Sequence, residues 1–568
     1  MSNGTTYKAI LLLLLLLKPS SNCDHDNMQR KAGKPDVSPC ISKAKGFDIF
    51  EEYGAKWKRP FKVEFEVMNE KKLVYHKLYV KTVIMPKIKE YLSTLLRAKV
   101  PGEIGPFSKK TCKDFMVYPD KYLKQGVEAD MMIFIELFTE KSSLSGSAVA
   151  CSENEYTRPN ICYIKINSTM FSVEPKNLEK NYYIVLHEII HCLGFSHIQY
   201  DRFLNQPVIE YHDKKFTFFK KKNVVKFVFP EIVSLAQQHF GSDEIDGVWL
   251  ESSGDGGTRG SHFEKIHFGN EIMNPKPTGS MVVSLFTLAV LQRTGWYDIN
   301  MAKAERFVWG KGHGSAFFEN ETCSNLYPEY CPNVTVYNCS RDFQSKTYCM
   351  RSNTTDLCSL NENFSDLRCT SNDIPFFKTE KHEETGKYSR CFKTYSMSNI
   401  DTSACFRSKC VFDEDLIWIQ VTINNQNYRC DGNKHFSTNG GITVFCPSID
   451  EFCENYNACP EDCSGNGRCL LDGTCRCFSF YGGKDCSIKL SCTDKQKLIC
   501  NAINPHKSLH SIDEFNGIPP SVLQWCYSCQ QLNLTNLYCQ NDDTYKLICS
   551  RAANGLSSLI RSFHRVGP

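Results

Sequence analysis

A nine-residue run at positions 187–195, HEIIHCLGF, constrains the fold of this chain more than any other feature. Residues four apart lie on the same face of a helix, so His187 and His191 can bind one metal ion together. Glu188 would lie beside that metal, close enough to act on a water without being a ligand. Gly194 tolerates the positive φ with which many helices end. Because the flanking residues are apolar, these polar groups would be buried, which is costly unless a metal satisfies them.

A catalytic zinc ion takes three protein ligands and keeps its fourth position for water. Two residues can supply the third ligand. His197 completes the spacing H-E-x-x-H-x-x-G-x-x-H, whereas His262 lies further on, in GSHFE at 260–264. The stretch EIMNP at 271–275 follows and has the pattern of a Met-turn, with Met273 packed beneath the metal. Spacing alone leaves both His197 and His262 open.

The order of the motifs resembles the leishmanolysin family of metzincin metallopeptidases. The resemblance rests on HEIIHCLGFS at 187–196, GGTRGSHFEK at 256–265, EIMNP at 271–275 and LQRTGWY at 291–297. In that family an inserted subdomain separates the helix glycine from the third histidine. The resemblance therefore implies that His262, rather than His197, is the third ligand. Phe263 departs from the family, which usually has tryptophan at this position.

The fold that the resemblance implies is an α+β metzincin-type metallopeptidase. Its N-terminal catalytic half, residues 46–196, would consist of a twisted sheet and two long helices. Its second half, residues 197–310, would contain the inserted subdomain and the Met-turn. The residues agree, because strand-like runs at 61–67, 131–137 and 161–166 alternate with a helical stretch at 83–96. Pro86 falls early in that stretch, where the first turn of a helix accepts proline.

The chemistry follows from these parts. Zinc lowers the pKa of a bound water from 15.7 to about 7. Glu188 would act as general base and later pass the proton to the leaving amine. We therefore expect a metalloendopeptidase with one catalytic zinc ion, acting on proteins or peptides. Two alternatives stay open: a metzincin of the adamalysin type that uses His197, and a non-catalytic adhesive scaffold.

Several features indicate an exported protein. An apolar run at 9–17 is too short to span a bilayer and predicts a signal peptide over residues 1–21. The 30 cysteines indicate an oxidising compartment. N-glycosylation sequons agree with secretion; they begin at Asn167, Asn320, Asn333, Asn338, Asn353, Asn363 and Asn533. The net charge of only +4, without an accompanying motif, gives no indication of nucleic-acid binding.

A short propeptide is expected over residues 22–45. Its Cys23-Asp24-His25-Asp26 resembles a propeptide segment of leishmanolysin-like precursors, in which a thiolate caps the zinc. The resemblance makes Cys23 a candidate switch, and a thiolate there would displace the catalytic water. With Cys23 set aside, 29 cysteines remain of the 30, so at least one more would be unpaired. Cys192 is the expected free thiol, because a small buried thiol packs well on a helix.

Beyond Gly310 the chain becomes rich in cysteine. Residues 311–455 are expected to form a glycosylated, disulfide-rich region, and residues 488–568 a cysteine-rich tail. Between them, residues 456–487 resemble an epidermal-growth-factor-like (EGF-like) module. The pairing that this resemblance implies is Cys459–Cys469, Cys463–Cys475 and Cys477–Cys486. Such a module suggests contacts with cell-surface or matrix proteins. The C-terminal residues lack an apolar anchor, so a secreted protein without a transmembrane segment is expected.

Overall fold

The computed structural model describes residues 36–37 and 59–490, apart from gaps at 69–72, 99–102, 143, 172–176, 205–207, 217–218, 253–257, 319–326, 332–336, 352–357, 371–381, 396–400, 414–415, 433 and 455–457. The predicted signal peptide, Cys23 and the tail beyond Leu490 lie outside these residues.

The strands are β1 Asp36–Val37, β2 Val63–Val67, β3 Leu96–Ala98, β4 Thr111–Cys112, β5 Met116–Val117, β6 Met131–Phe138, β7 Gly146–Glu153, β8 Pro159–Asn167, β9 Ile209–Phe216, β10 Phe219–Phe227, β11 Val248–Leu250, β12 Tyr297–Ile299, β13 Tyr337–Cys339, β14 Ser345–Arg351, β15 Ser359–Arg368, β16 Ser389–Tyr395, β17 Asp401–Asp413, β18 Leu416–Ile423, β19 Gln426–Cys430, β20 His435–Ser437, β21 Thr443–Phe445, β22 Gly467–Cys469, β23 Cys475–Cys477, β24 Tyr481–Gly482 and β25 Ile488–Lys489. The α-helices are α1 Val74–Tyr79, α2 Met85–Leu95, α3 Asp120–Lys124, α4 Leu178–Leu193, α5 Pro230–Phe240, α6 Lys265–Phe268, α7 Leu285–Arg293, α8 Ser315–Phe318 and α9 Ile449–Cys453.

A five-stranded mixed sheet forms the centre of the N-terminal half, in the order β1-β7-β8-β6-β2. Strand β6 runs parallel to both neighbours, and its sequence MMIFIELF is apolar at nearly every position. Such a run is typical of a strand that is covered on both faces. Strand β7 is antiparallel to β8, and β1 adds to its outer side in parallel. The sheet therefore has β7 near one edge.

The helix that precedes β3 is longer than the sequence predicts. It begins at Val74 rather than near Val83 and passes through a π-helical turn, Val80–Ile84, before α2. Pro86 is the second residue of α2, in its first turn as predicted, although the π-helical turn makes the preceding residues helical as well. Proline lacks an N–H and its ring crowds the preceding turn, and the wider π-turn accommodates both.

Helix α4 packs between the sheet and the second half of the chain. It is apolar on nearly all sides, and its residues from Asn181 to Leu193 are buried. The helix ends at Gly194, whose φ is 132°. A Cβ at this position would lie only 2.9 Å from the Trp296 ring, so both the backbone conformation and the packing require glycine.

The prediction that Cys192 carries a free thiol is wrong. Cys192 forms a disulfide with Cys162, which joins α4 to β8, and the two Cα atoms are 6.0 Å apart. This separation is in the range that a disulfide requires. Cys162 and Cys192 both face the interface between sheet and helix. Counting cysteines could not reveal that proximity, because the residues meet only in the folded chain.

Disulfides dominate the C-terminal part. Strands β13, β14 and β15 form one sheet, and a six-stranded sheet has the order β19-β18-β17-β16-β21-β20. The bridges of this part in which both cysteines are described residues are Cys331–Cys349, Cys339–Cys391, Cys369–Cys405, Cys410–Cys453, Cys430–Cys446, Cys459–Cys469, Cys463–Cys475 and Cys477–Cys486. Among the described residues, no helix combines the length and the apolar composition that a membrane crossing requires.

Two of the sequons have buried asparagines. Asn167 is fully buried, and its Nδ2 donates hydrogen bonds to the carbonyls of Glu140 (3.0 Å) and Leu144 (2.9 Å). Asn363 is also buried. A glycan is attached through Nδ2, so that nitrogen must face solvent. The folded chain therefore excludes a glycan at Asn167, contrary to the interpretation of this sequon as a modification site.

We expect non-reducing peptide mapping to link Cys162 to Cys192. Replacing both cysteines by alanine should lower the free energy of unfolding by roughly 3–4 kcal/mol, the loop-closure contribution of a loop of about 30 residues. Urea unfolding followed by tryptophan fluorescence measures the change. Alkylation of Cys192 in denatured, unreduced protein would contradict the pairing.

Candidate metal centre

Three histidines from two separate segments meet in the interior. His187 and His191 lie one turn apart on α4, and His262 follows β11. The Nε2 atoms are 3.0 Å apart for His187 and His191, 3.2 Å for His191 and His262, and 3.3 Å for His262 and His187. All three residues are buried. The structure thus brings together the two helix histidines and one of the two candidates for a third.

The second ring nitrogen of each histidine faces a main-chain carbonyl. Nδ1 of His187 lies 2.6 Å from the Ile272 oxygen, Nδ1 of His191 lies 2.6 Å from that of Phe195, and Nδ1 of His262 lies 2.9 Å from that of Thr258. A carbonyl only accepts hydrogen bonds, so each Nδ1 carries the hydrogen. Each Nε2 then points its lone pair at a common centre.

The three nitrogens fit a metal ion. Burial lowers the pKa of His187 to about 4, which keeps that imidazole neutral. Three lone pairs about 3 Å apart repel one another unless a cation lies between them. Nitrogen ligands of a tetrahedral zinc, at about 2.0–2.1 Å from the metal, lie roughly 3.3–3.4 Å from each other. The observed separations of 3.0–3.3 Å are close to this value.

His197 lies beside the centre without joining it. It begins a 3-10 helix, His197–Arg202, and its main-chain N–H donates a 2.9 Å hydrogen bond to Ser261 Oγ. Its imidazole packs against Gly260, where a Cβ would lie 3.2 Å from Nδ1. Among the described residues, the group of potential ligand atoms at this centre consists of His187, His191 and His262.

Met273 lies in a buried turn that contacts both histidine segments. The carbonyl of Ile272 accepts from His187, and the carbonyl of Met273 accepts a 2.9 Å hydrogen bond from the Phe263 N–H, next to His262. The Met273 side chain is fully buried. The turn therefore connects α4 with the segment that carries His262.

Glu271 supports this turn, and the sequence interpretation did not assign it a role. Its Oε2 accepts the Met273 N–H, and its Oε1 accepts from the hydroxyl of Ser284 (2.8 Å) and that of Thr287 (2.5 Å). Burial raises the pKa of Glu271 to about 7, although these hydrogen bonds oppose the shift. The sequence signal for this role is the position of Glu271, an acidic residue directly before the apolar pair Ile272-Met273.

Glu188 follows His187 directly in sequence, and it is buried with 1% of its surface exposed. Its carboxyl group lies against Gly146, the first residue of β7, where a Cβ would come within 2.5 Å of Oε1. Gly146 is therefore a site residue that no sequence motif indicated. The contact joins the beginning of strand β7 to the Glu188 side chain of α4.

Comparison with known proteins agrees with this geometry. The family described as Leishmanolysin matches residues 70–353, half of the 568 residues, and the family described as Teneurin-like EGF domain matches residues 459–489. The second match covers the expected EGF-like module.

Individual relatives give the same result. A leishmanolysin-like peptidase of Drosophila pseudoobscura pseudoobscura is 29% identical over 226 residues, 33% of this chain and 33% of the relative. Leishmanolysin of Leishmania major is 26% identical over 212 residues, 37% of this chain and 34% of the relative. A ciliated left-right organizer metallopeptidase of Danio rerio is 24% identical over 418 residues, 69% of this chain and 62% of the relative. The chain thus matches about a third of the length of the leishmanolysin-like relatives. With half of its length matched by the family, this chain belongs to the leishmanolysin family of metallopeptidases.

Proposed function

We propose that the chain is an exported zinc-dependent endopeptidase of metzincin type. The observation that carries the proposal is the convergence of three buried imidazole nitrogens, 3.0–3.3 Å apart. Glu188, which follows His187 in sequence, is buried as well. His187, His191 and His262 would bind the zinc ion. The many disulfides support an extracellular destination, and the family supports protein or peptide substrates.

A zinc ion bound by these histidines would lower the pKa of its water to about 7 and polarise the scissile carbonyl. The residues of the chain supply the remaining functions. Glu188 accepts a proton from the attacking water and delivers it to the leaving amine. The carbonyls of Ile272, Phe195 and Thr258 fix the tautomer of each ligand. Met273 packs beneath the site and holds the two ligand segments together.

The alternative of a non-catalytic scaffold is less well supported. A scaffold has no need of three convergent imidazoles or of a buried Glu188, since such polar groups are costly to bury. The EGF-like module exposes 50% of the Leu471 surface, which supports contacts with cell-surface or matrix proteins.

Glu188→Gln should reduce cleavage of casein by about 100- to 10,000-fold, because the amide cannot take up the proton. Zinc content, measured by inductively coupled plasma mass spectrometry, should stay at that of the unaltered protein. Glu128→Gln is the matched control, since the Glu128 side chain is 86% exposed. Unchanged cleavage by the Glu188 variant would contradict its role as general base.

His262→Ala should abolish stable zinc binding, whereas His197→Ala should leave it unchanged. Only the former removes one of the three convergent nitrogens. Zinc content after dialysis against a weak chelator measures the difference. The opposite result would establish the adamalysin-type arrangement with His197 as third ligand.

Cys23 is proposed to cap the metal in the precursor. Within the predicted propeptide, β1 pairs in parallel with β7 at Ser152 and Glu153, and the other end of β7, Gly146, contacts Glu188. The 13 residues from Cys23 to Asp36 reach at most ~45 Å when extended. The part of β7 between Ser152 and Gly146 is only ~20 Å long. A thiol at Cys23 is therefore within reach of the imidazoles.

The capped precursor should be inactive on casein, and Cys23→Ser should be active before any processing, since serine is a much weaker zinc ligand than a thiolate. A variant with Cys23 retained and Asp24→Asn is the control and should stay latent. Equal activity of the intact wild-type and Cys23→Ser precursors would contradict the switch.

A further inference from the structure

The EGF-like module is docked on the half of the chain that contains the metal centre. Its main chain contacts the segment that follows β12. The N–H of Leu471 donates a 3.0 Å hydrogen bond to the carbonyl of Ala304, and the N–H of Asp472 donates one of 3.0 Å to the carbonyl of Ala302. Two arginines of the module, Arg468 on β22 and Arg476 on β23, extend into the interface. A module that acts only as a flexible spacer would not make such buried contacts with the rest of the chain.

Arg476 enters an aromatic cage at the start of α4. Its side chain is 12% exposed, and its guanidinium carbon lies 4.8 Å from the ring centre of Tyr182 and 5.1 Å from that of Tyr183. Its Nε donates to Glu305 Oε1 at 2.8 Å, and its Nη2 donates to the Tyr183 hydroxyl at 2.5 Å. A buried fork of this kind fixes two partners at once.

Glu305 connects Arg476 to α4, through Tyr183, and to the segment after the Met273 turn, through Val283. Its side chain is 1% exposed, and its Oε2 accepts from the Tyr183 hydroxyl (2.6 Å) and from the Val283 N–H (3.1 Å). Tyr183 lies one helical turn before His187 on α4. Val283 adjoins Val282, whose carbonyl accepts the Ile272 N–H at 2.8 Å. The Ile272 carbonyl in turn holds Nδ1 of His187.

Arg468 makes a second connection of the same kind. Its Nε donates to Glu179 Oε1 at 2.8 Å, in the first turn of α4, and its Nη2 donates to Ser280 Oγ at 2.5 Å, shortly after the Met273 turn. Arg368 of β15 also pairs with Glu179. The module therefore contacts both α4 and the segment that follows the turn.

We propose that the EGF-like module is a positioning element of the metal centre. Arg476, acting through Glu305, holds α4 against the Met273 turn and so fixes the His187 ring relative to the other two ligands. The inference rests on the proposed zinc site. The face of the module that carries Arg468 and Arg476 packs against the rest of the chain, so this face is not accessible to an external partner.

Arg476→Lys in the full-length protein tests this inference, because lysine keeps the charge but cannot contact Glu305 and Tyr183 as a fork. The zinc dissociation constant, measured by chelator competition well below the unfolding midpoint, should rise about 10- to 100-fold. The visible absorption of the cobalt(II) form should change as well. Lys303→Met is the control: Lys303 forms a 2.6 Å ion pair with Asp472 at the rim of the same interface, and its loss should leave both signals unchanged.

An unchanged zinc dissociation constant and cobalt spectrum for Arg476→Lys would overturn the inference. If that variant is not secreted, the pair Arg476→Met with Glu305→Gln removes both buried charges, and the same measurements apply: a weakened site supports the inference and an unaltered one overturns it. These measurements concern metal binding alone. Failure of the wild type to cleave proteins while it binds zinc would contradict the proposed peptidase and not this inference.

Discussion

The metal centre depends on where three imidazoles direct their hydrogens. Each Nδ1 faces a main-chain carbonyl, so the backbone fixes the tautomer and the direction of each imidazole ring. The carbonyl of Phe195 is available only because α4 stops at Gly194, and that of Ile272 only because the chain turns sharply at Met273. Helix termination, turn geometry and packing of the second half are therefore requirements of the centre.

Helix α4 is held at both ends by residues distant in sequence. Near its C-terminal end, the Cys162–Cys192 bridge ties it to β8. At its N-terminal end, Glu179 and Tyr183 bind arginines from the C-terminal part of the chain. Apolar packing alone fixes the rotation and axial position of a helix less sharply than packing combined with directional contacts. The contacts at each end of α4 therefore help to set where His187 and His191 lie.

Local sequence carried most of the information about the helix histidines, because their spacing and the helix period fix their relation. The choice between His197 and His262 depended on the family resemblance, since residue spacing cannot describe an intervening subdomain. The pairing of Cys192 and the contact between Gly146 and Glu188 could not be predicted. Each arises from tertiary packing between a strand and a helix, and no sequence motif indicates that these two elements pack together.

The distances along the chain have a consequence for biosynthesis. Arg476 is 293 residues from Tyr183 in sequence, and Arg468 is 289 residues from Glu179. A ribosome delivers the histidine helix long before these partners, since chains emerge at about 5–20 residues per second. The nascent protein thus carries His187 and His191 for some tens of seconds before the arginine contacts to α4 exist. A premature stop after Met273 and before Arg468 would yield a product that contains all three histidines and the Met273 turn but lacks both arginine contacts.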